Sequence, residues 1–229
     1  MFSLLSLGFL IGMRHALEAD HVAAVSSLVT QHCNIKDALK QGAVWGLGHT
    51  ITLFLFGSVA ILIDSTISEQ LANTLEFIVG LILIFLGFDV LHRLYKKRVH
   101  FHLHSHGQNT QHFHAHSYTG KKEHDTNKHQ HSHGFPKRAL LVGLMHGMAG
   151  SAALIILTLH KVQSPITGMF YLLFFGIGSI IGMAVLSVTI AIPLRYSSNG
   201  LTWLYNSLQT FIGLTTLSLG SIAVIDFLV

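Results

Sequence analysis

Charge is scarce in this chain. Its 229 residues include 14 Lys and Arg and 10 Asp and Glu, so charged side chains make up 10% where hydrophobic ones make up 50%. A soluble domain carries roughly 25% charged residues. The chain is therefore read as an integral membrane protein. Cysteine is confined to Cys33, which excludes an intramolecular disulfide, and that thiol is assigned no role. Proline is rare too: Pro136, Pro165 and Pro193 all fall near the ends of apolar runs, where a fixed φ and a missing donor are tolerated. The net charge of +4 comes from basic residues spread over connecting loops, so no nucleic-acid partner is expected. No positive region precedes the first apolar stretch, and 1–19 is read as the start of a span rather than a cleaved signal.

What the chain has is long apolar runs. About 20 such residues cross a bilayer, and six runs qualify: 2–30, 41–63, 71–95, 138–160, 166–194 and 202–228. The expected fold is an all-α integral membrane protein of six transmembrane helices. The first and fifth runs exceed what a straight span needs and are expected to tilt, break or protrude. Lys36, Lys40, the cluster from Arg93 to Arg98, five basic residues between 121 and 138, and Arg195 follow odd-numbered helices, whereas Lys161 alone follows an even one. The positive-inside rule then makes the odd loops cytoplasmic and puts both termini outside, in a multi-pass protein of the cell inner membrane. The halves also match. Gly12-x-x-His15 corresponds to Gly143-x-x-His146, Gly46-x-Gly48 to Gly176-x-Gly178, and Gly80 and Gly87 to Gly213 and Gly220. Three-helix repeats of opposite orientation form the 3+3 inverted plan of many transporters, with the substrate near the midplane. The expected division is a first repeat at 1–95, a histidine-rich cytoplasmic loop at 96–137, disordered without metal, and a second repeat at 138–229.

Arg14-His15-Ala16-Leu17-Glu18-Ala19-Asp20-His21 stands inside the first apolar run. In hydrocarbon Asp or Arg costs about 2.5–3.5 kcal/mol on insertion scales, so such groups call for a function. His15 and His21 are six residues apart, about 120° on a regular helix. Either the helix unwinds near 17–19, or the two histidines serve successive ion positions. Arg14 and Glu18, at i and i+4, are expected to pair, which leaves Asp20 as the better carboxylate ligand. His49, between Gly48 and Thr50, and His146, the repeat counterpart of His15, complete the candidate metal set of His15, Asp20, His21, His49 and His146. Arg14, Glu18 and Thr50 are expected to support those ligands. Glu76, Asp89 and Asp226 lie near helix ends and are read as interfacial. Imidazole with carboxylate suits nickel, cobalt, zinc or copper and does not suit magnesium or calcium.

A second histidine population fills the middle loop: His100, His102, His104, His106, His112, His114, His116, His124, His129, His131 and His133. Interleaved with Ser, Gly, Gln, Asn and Lys, they cannot build a core, and at these spacings they would buffer transition metals.

The segment from Arg14 to His21 resembles the His-x4-Asp-His signature of the nickel/cobalt transporter family, and Leu47-Gly48-His49-Thr50 resembles that family's next histidine motif. The resemblance implies Ni2+ or Co2+ as cargo, with Zn2+ as a further candidate, and no permanently bound cofactor. It implies metal binding by His15, Asp20, His21 and His49. The second half lacks the family's Gly-Phe-Asp-Thr-Ala-Thr-Glu segment, and six spans replace eight. Both departures bring the chain close to urease-accessory membrane transporters and to exporters with histidine-rich loops. The expected partners are the bilayer and the metal ion, with metallochaperones or urease and hydrogenase maturation proteins as candidate recipients. The expected function is transport, not enzymatic catalysis, with import ahead of efflux. A desaturase-type metalloenzyme and a metal sensor or scaffold are the readings from other classes.

Overall fold

The computed structural model describes residues 2–30, 34–63, 68–96, 99–106, 110–117, 136–149, 164–198 and 201–229. Among them are seven helices: α1 (Phe2–His15), α2 (Ala19–Val29), α3 (Ile35–Ile63), α4 (Glu69–Lys96), α5 (Lys137–Ala149), α6 (Pro165–Ser198) and α7 (Thr202–Leu228). Four contain stretches long and apolar enough to cross a membrane: Ile35–Ile63, Gln70–Lys96, Pro165–Ser197 and Thr202–Leu228. They coincide with the second, third, fifth and sixth apolar runs. The continuation of the fourth run beyond Ala149 lies outside the described residues.

The first run is not one helix. α1 has 14 residues and α2 has 11, so each rises only about 16–21 Å and spans half a membrane. Between them the ladder tightens: the Leu17 N–H donates to the Arg14 carbonyl at 2.9 Å and the Glu18 N–H to that of His15 at 3.0 Å. Glu18 is extended, with ψ of 147°, and its carbonyl starts α2 by accepting from the Val22 N–H. Neither Pro nor Gly causes this break. Arg14 lies in the last turn of α1 and Asp20 in the first turn of α2, so each charge sits at the helix end whose dipole it complements. The break lies at Ala16–Glu18, within a residue of the expected position.

In the middle loop the backbone forms a two-stranded antiparallel ribbon, β1 (Val99–His106) with β2 (Thr110–Ser117). Composition gave no sign of this pairing.

Helices pack where glycine admits a neighbouring backbone. α1 lies on α6, α5 and α6 both lie on α3, and α4 lies on α7. The contacts recur in pairs. Gly12 faces the Phe175 carbonyl and the Ser179 nitrogen, as Gly143 faces the Trp45 carbonyl and the His49 nitrogen. Gly178 faces Phe9 and Met13 backbone, as Gly48 faces that of Leu140 and Leu144. Gly80 abuts the Gly220 carbonyl and Gly87 that of Gly213. α2 is buried from Ala23 to Val29 among α3, α4, α6 and α7.

Gly48 offers a test. A Cβ there would stand 2.6 Å from the Leu140 carbonyl oxygen and 3.0 Å from the Leu144 nitrogen, both backbone atoms. Overpacking of this kind costs about 1–3 kcal/mol or more. Gly48→Val is expected to lower the thermal transition of detergent-purified protein by several degrees and to broaden its size-exclusion peak, while Leu47→Val, at an exposed position on the same helix, changes neither.

Candidate metal centre

The break in the first run turns Asp20 and His21 back toward His15. α3 brings His49 and α5 brings His146 to the same place. Four imidazoles are buried there: His15 is 6% exposed, His21 and His146 1%, and His49 fully enclosed. Ring centroids lie 4.3 Å apart for His15 and His21, 4.6 Å for His21 and His146, and 5.0 Å for His21 and His49. All five sequence-predicted residues meet at this point.

Two three-residue groups overlap within it. His15, His21 and His49 have nitrogens within 4.8 Å of one another, and so do the donor atoms of Asp20, His21 and His146. His21 belongs to both. The Nε2 atoms of His15 and His49 are 3.2 Å apart. Two nitrogens bound tetrahedrally to one ion at about 2.0–2.1 Å stand about 3.3 Å apart, so this pair is already at ligand spacing.

Carboxylates fix the rings. Ionised Asp and Glu only accept hydrogen bonds. The Glu18 Oε1 therefore takes the proton of His15 Nδ1 at 2.9 Å, and Asp20 accepts from His21 Nδ1 at 2.9 Å and from His146 Nε2 at 2.8 Å. With Nδ1 or Nε2 so committed, the remaining nitrogens of His15, His21 and His146 carry lone pairs, while His49, touched by no carboxylate, can present either nitrogen. His21 Nε2, His49 Nδ1 and His146 Nδ1 are buried and have no hydrogen-bond partner. An unsatisfied buried polar atom is costly. The acceptors on His21 and His146, without a donor and side by side, suit a cation.

Sequence reasoning missed four features. Trp45 packs over the cluster, 5.3 Å from His21, 5.5 Å from His146 and 6.0 Å from His49; its place one turn before His49 was the available signal. Glu18 pairs with His15 rather than Arg14, because the break takes it off the i, i+4 line. Thr50 donates to the Gly176 carbonyl at 3.1 Å and braces α3 against α6 instead of supporting a ligand. Asp89, near the end of α4, is held by ion pairs the sequence reading did not assign: it accepts from Arg138 Nη2 at 2.8 Å and pairs with Arg93 Nε at 3.3 Å, while Arg93 Nη2 donates to Thr30 at 3.3 Å. The Asp89–Arg93 spacing of four made that pair readable. Of the loop histidines, the six between 100 and 104 and between 112 and 116 lie on paired strands, His106 faces Thr110 in the register, and His124, His129, His131 and His133 lie outside the described residues.

The family model for the high-affinity nickel-transport protein, NicO, matches residues 1–225. The chain belongs to the NicO family. It is 37% identical over 199 residues to the urease accessory protein UreH of Bacillus sp. (strain TB-90), covering 86% of this chain and 80% of that protein. It is 25% identical over 185 residues to a protein of Methanocaldococcus jannaschii named as a candidate nickel/cobalt efflux system, covering 79% and 72%. A chloroplast protein of Arabidopsis thaliana named for growth and fertility is also 25% identical, with 45% of its length covered. No solved structure matches. Metal transport across a membrane is the activity of the NicO family, and its metal is cargo rather than a resident cofactor.

Asp20→Asn separates packing from metal chemistry. The amide keeps the shape but cannot accept from two imidazoles with the same charge. Losing such an outer partner typically costs 10–100-fold in metal affinity. Ni2+ titration of protein whose loop histidines are replaced by serine is expected to show that loss with the helical circular dichroism unchanged.

Proposed function

We propose that this NicO protein carries Ni2+ or Co2+ through the membrane, the ion shedding water onto His15, His21 and His49 and leaving by way of Asp20, His21 and His146. The observation that carries the reading is the pair of overlapping groups with His21 in common. One ion moving between them never loses all its nitrogen ligands. Two ions could not share His21, so passage is one at a time. Glu18 and Asp20 hold the imidazole tautomers that present lone pairs. Because ligands bind metal only when deprotonated, uptake of the ion releases protons, and coupling to a proton gradient follows naturally. Zn2+ fits the same donors.

We read the architecture as six helices in a 3+3 inverted repeat. Its support is the recurrence of contacts: Gly12 on Phe175 and Ser179 is matched by Gly143 on Trp45 and His49, and Gly178 on Phe9 and Met13 by Gly48 on Leu140 and Leu144. Rocking of one half against the other would expose the centre alternately. With Lys and Arg on the odd loops, the histidine-rich loop faces the cytoplasm and both termini face outward. In the ribbon His100 pairs with His116, His102 with His114 and His104 with His112, and this run of cross-strand histidine pairs in the register supports metal buffering by the loop.

Import is the favoured direction, resting on the first-helix motif. With UreH as a relative, urease maturation is the natural consumer of nickel, by way of a metallochaperone. Efflux is the second reading, favoured by the histidine-rich loop and by the likeness to the M. jannaschii protein. Membership in a transport family argues against the metalloenzyme reading, and a scaffold acting through the loop alone would not use His15 or His21.

Proteoliposomes loaded with a nickel-sensitive dye are expected to take up Ni2+, and His21→Ala to reduce the rate at least tenfold. Equal rates for both proteins would sink the proposal. In cells, deletion is expected to lower total nickel; a rise would establish efflux instead.

A further inference from the structure

Ser3, Leu7, Leu10 and Arg14 are all exposed on α1 and follow one another at spacings of four, three and four residues, and Leu17, in the turn just past the helix end, is exposed as well. Side chains so spaced form one seam along a helix, the pattern by which two helices pack together. The other face of α1 is already used: Gly8 and Gly12 lie against Tyr171 and Phe175 of α6. Exposed leucines alone would need no explanation in a membrane, since lipid tails suit them. Arg14 does not suit lipid tails. Its neighbours Met13 and Ala16 pack on Gly182, at the middle of the 34-residue α6, which puts the guanidinium near mid-depth. A charge at that depth is found facing protein or water rather than hydrocarbon. Arg14 has no ion-pair partner among the described residues. Glu18, in the break just past the end of α1, is 57% exposed and bonds His15 through Oε1 alone. The exposed patch thus holds one cation and one carboxylate with an oxygen to spare, set in an apolar seam.

We propose that this seam is a two-fold interface with a second copy of the chain, in which Arg14 pairs with the partner's Glu18 and Glu18 with the partner's Arg14. A two-fold interface brings one patch against itself, and a patch bearing both signs, with Arg14 at the end of α1 and Glu18 in the break beyond it, is self-complementary. Ser3 leaves room at the outer end, and the leucines fill the seam. A lone polar residue in such a seam also fixes register, which here sets the two copies at one depth. The pairing reaches the metal centre. The partner's Arg14 holds Glu18, and Glu18 holds His15 Nδ1, so association orders one imidazole of each copy. That last consequence rests on the transport reading; the interface itself does not.

The test uses the full chain with Cys33→Ser. Native mass spectrometry from lipid nanodiscs is expected to give a dimer. In membrane vesicles, Leu10→Cys and Leu17→Cys are expected to be cross-linked by a short bismaleimide to a band at twice the chain mass, and Phe85→Cys, on the exposed face of α4, is not. Adding Arg14→Glu to Leu17→Cys is expected to cut cross-linking at least fivefold, and Glu18→Arg added to that pair to restore it. A monomer in nanodiscs overturns the proposal, as does a dimer cross-linked at Phe85→Cys and at neither seam position. Cross-linking indifferent to Arg14→Glu overturns the ion pair. Rapid labelling of the seam cysteines by a water-soluble maleimide without any dimer would mean an aqueous vestibule instead. None of these readouts uses metal, so the interface and the transport reading fail separately.

Discussion

Everything in this protein depends on keeping four imidazoles and a carboxylate together where water is excluded. Each such group left alone in hydrocarbon is unfavourable, and no long-range field gathers them. The short contacts do: Asp20 bridges His21 and His146, Glu18 secures His15, and His15 meets His49. α1, α2, α3 and α5 each contribute, so the cluster and the helix packing are one construction. Glycines make it feasible by letting α5 reach α3 at Gly48, next to His49, and at Gly143, one turn before His146.

The cost falls on the first helix. A continuous helix would point His15 and His21 about 120° apart. Stopping α1 at His15 and restarting at Ala19 removes that constraint, and the polar sequence needed for metal also supplies the charges that stabilise the two new helix ends. The same break carries Glu18 off its pairing line with Arg14. Metal chemistry, chain interruption and an exposed guanidinium are linked through three residues, Ala16, Leu17 and Glu18.

Much of this was legible in the chain. The apolar runs located α3, α4, α6 and α7 to within a few residues, because span length is dictated by bilayer thickness. The five clustered residues were identifiable because polar groups in apolar runs are conspicuous. What could not be read was which atoms face which. Asp20 bonds two histidines because α5 delivers His146 from 126 residues away, and no local pattern encodes that. Thr50 and Glu18 were assigned by adjacency to their motifs, whereas tertiary contacts decided their partners. The ribbon was legible but passed over: in β1 histidine alternates with Val99, Phe101 and Leu103, the period of two that marks a strand, and the histidine-rich composition of the whole loop outweighed it.

The pair of bonds at Asp89 has a consequence for the histidine-rich loop. Asp89 and Arg93 end α4, and Arg138 begins α5, so the Asp89–Arg138 contact clasps both ends of the intervening segment at one point. A tethered segment with joined ends samples a small volume, and ligands confined this way reach effective concentrations on the order of millimolar. On the proposed buffering role, a metal ion released there would meet the loop's imidazoles at that local concentration however dilute it is in the surrounding solution, and the clasp would give that store a fixed location.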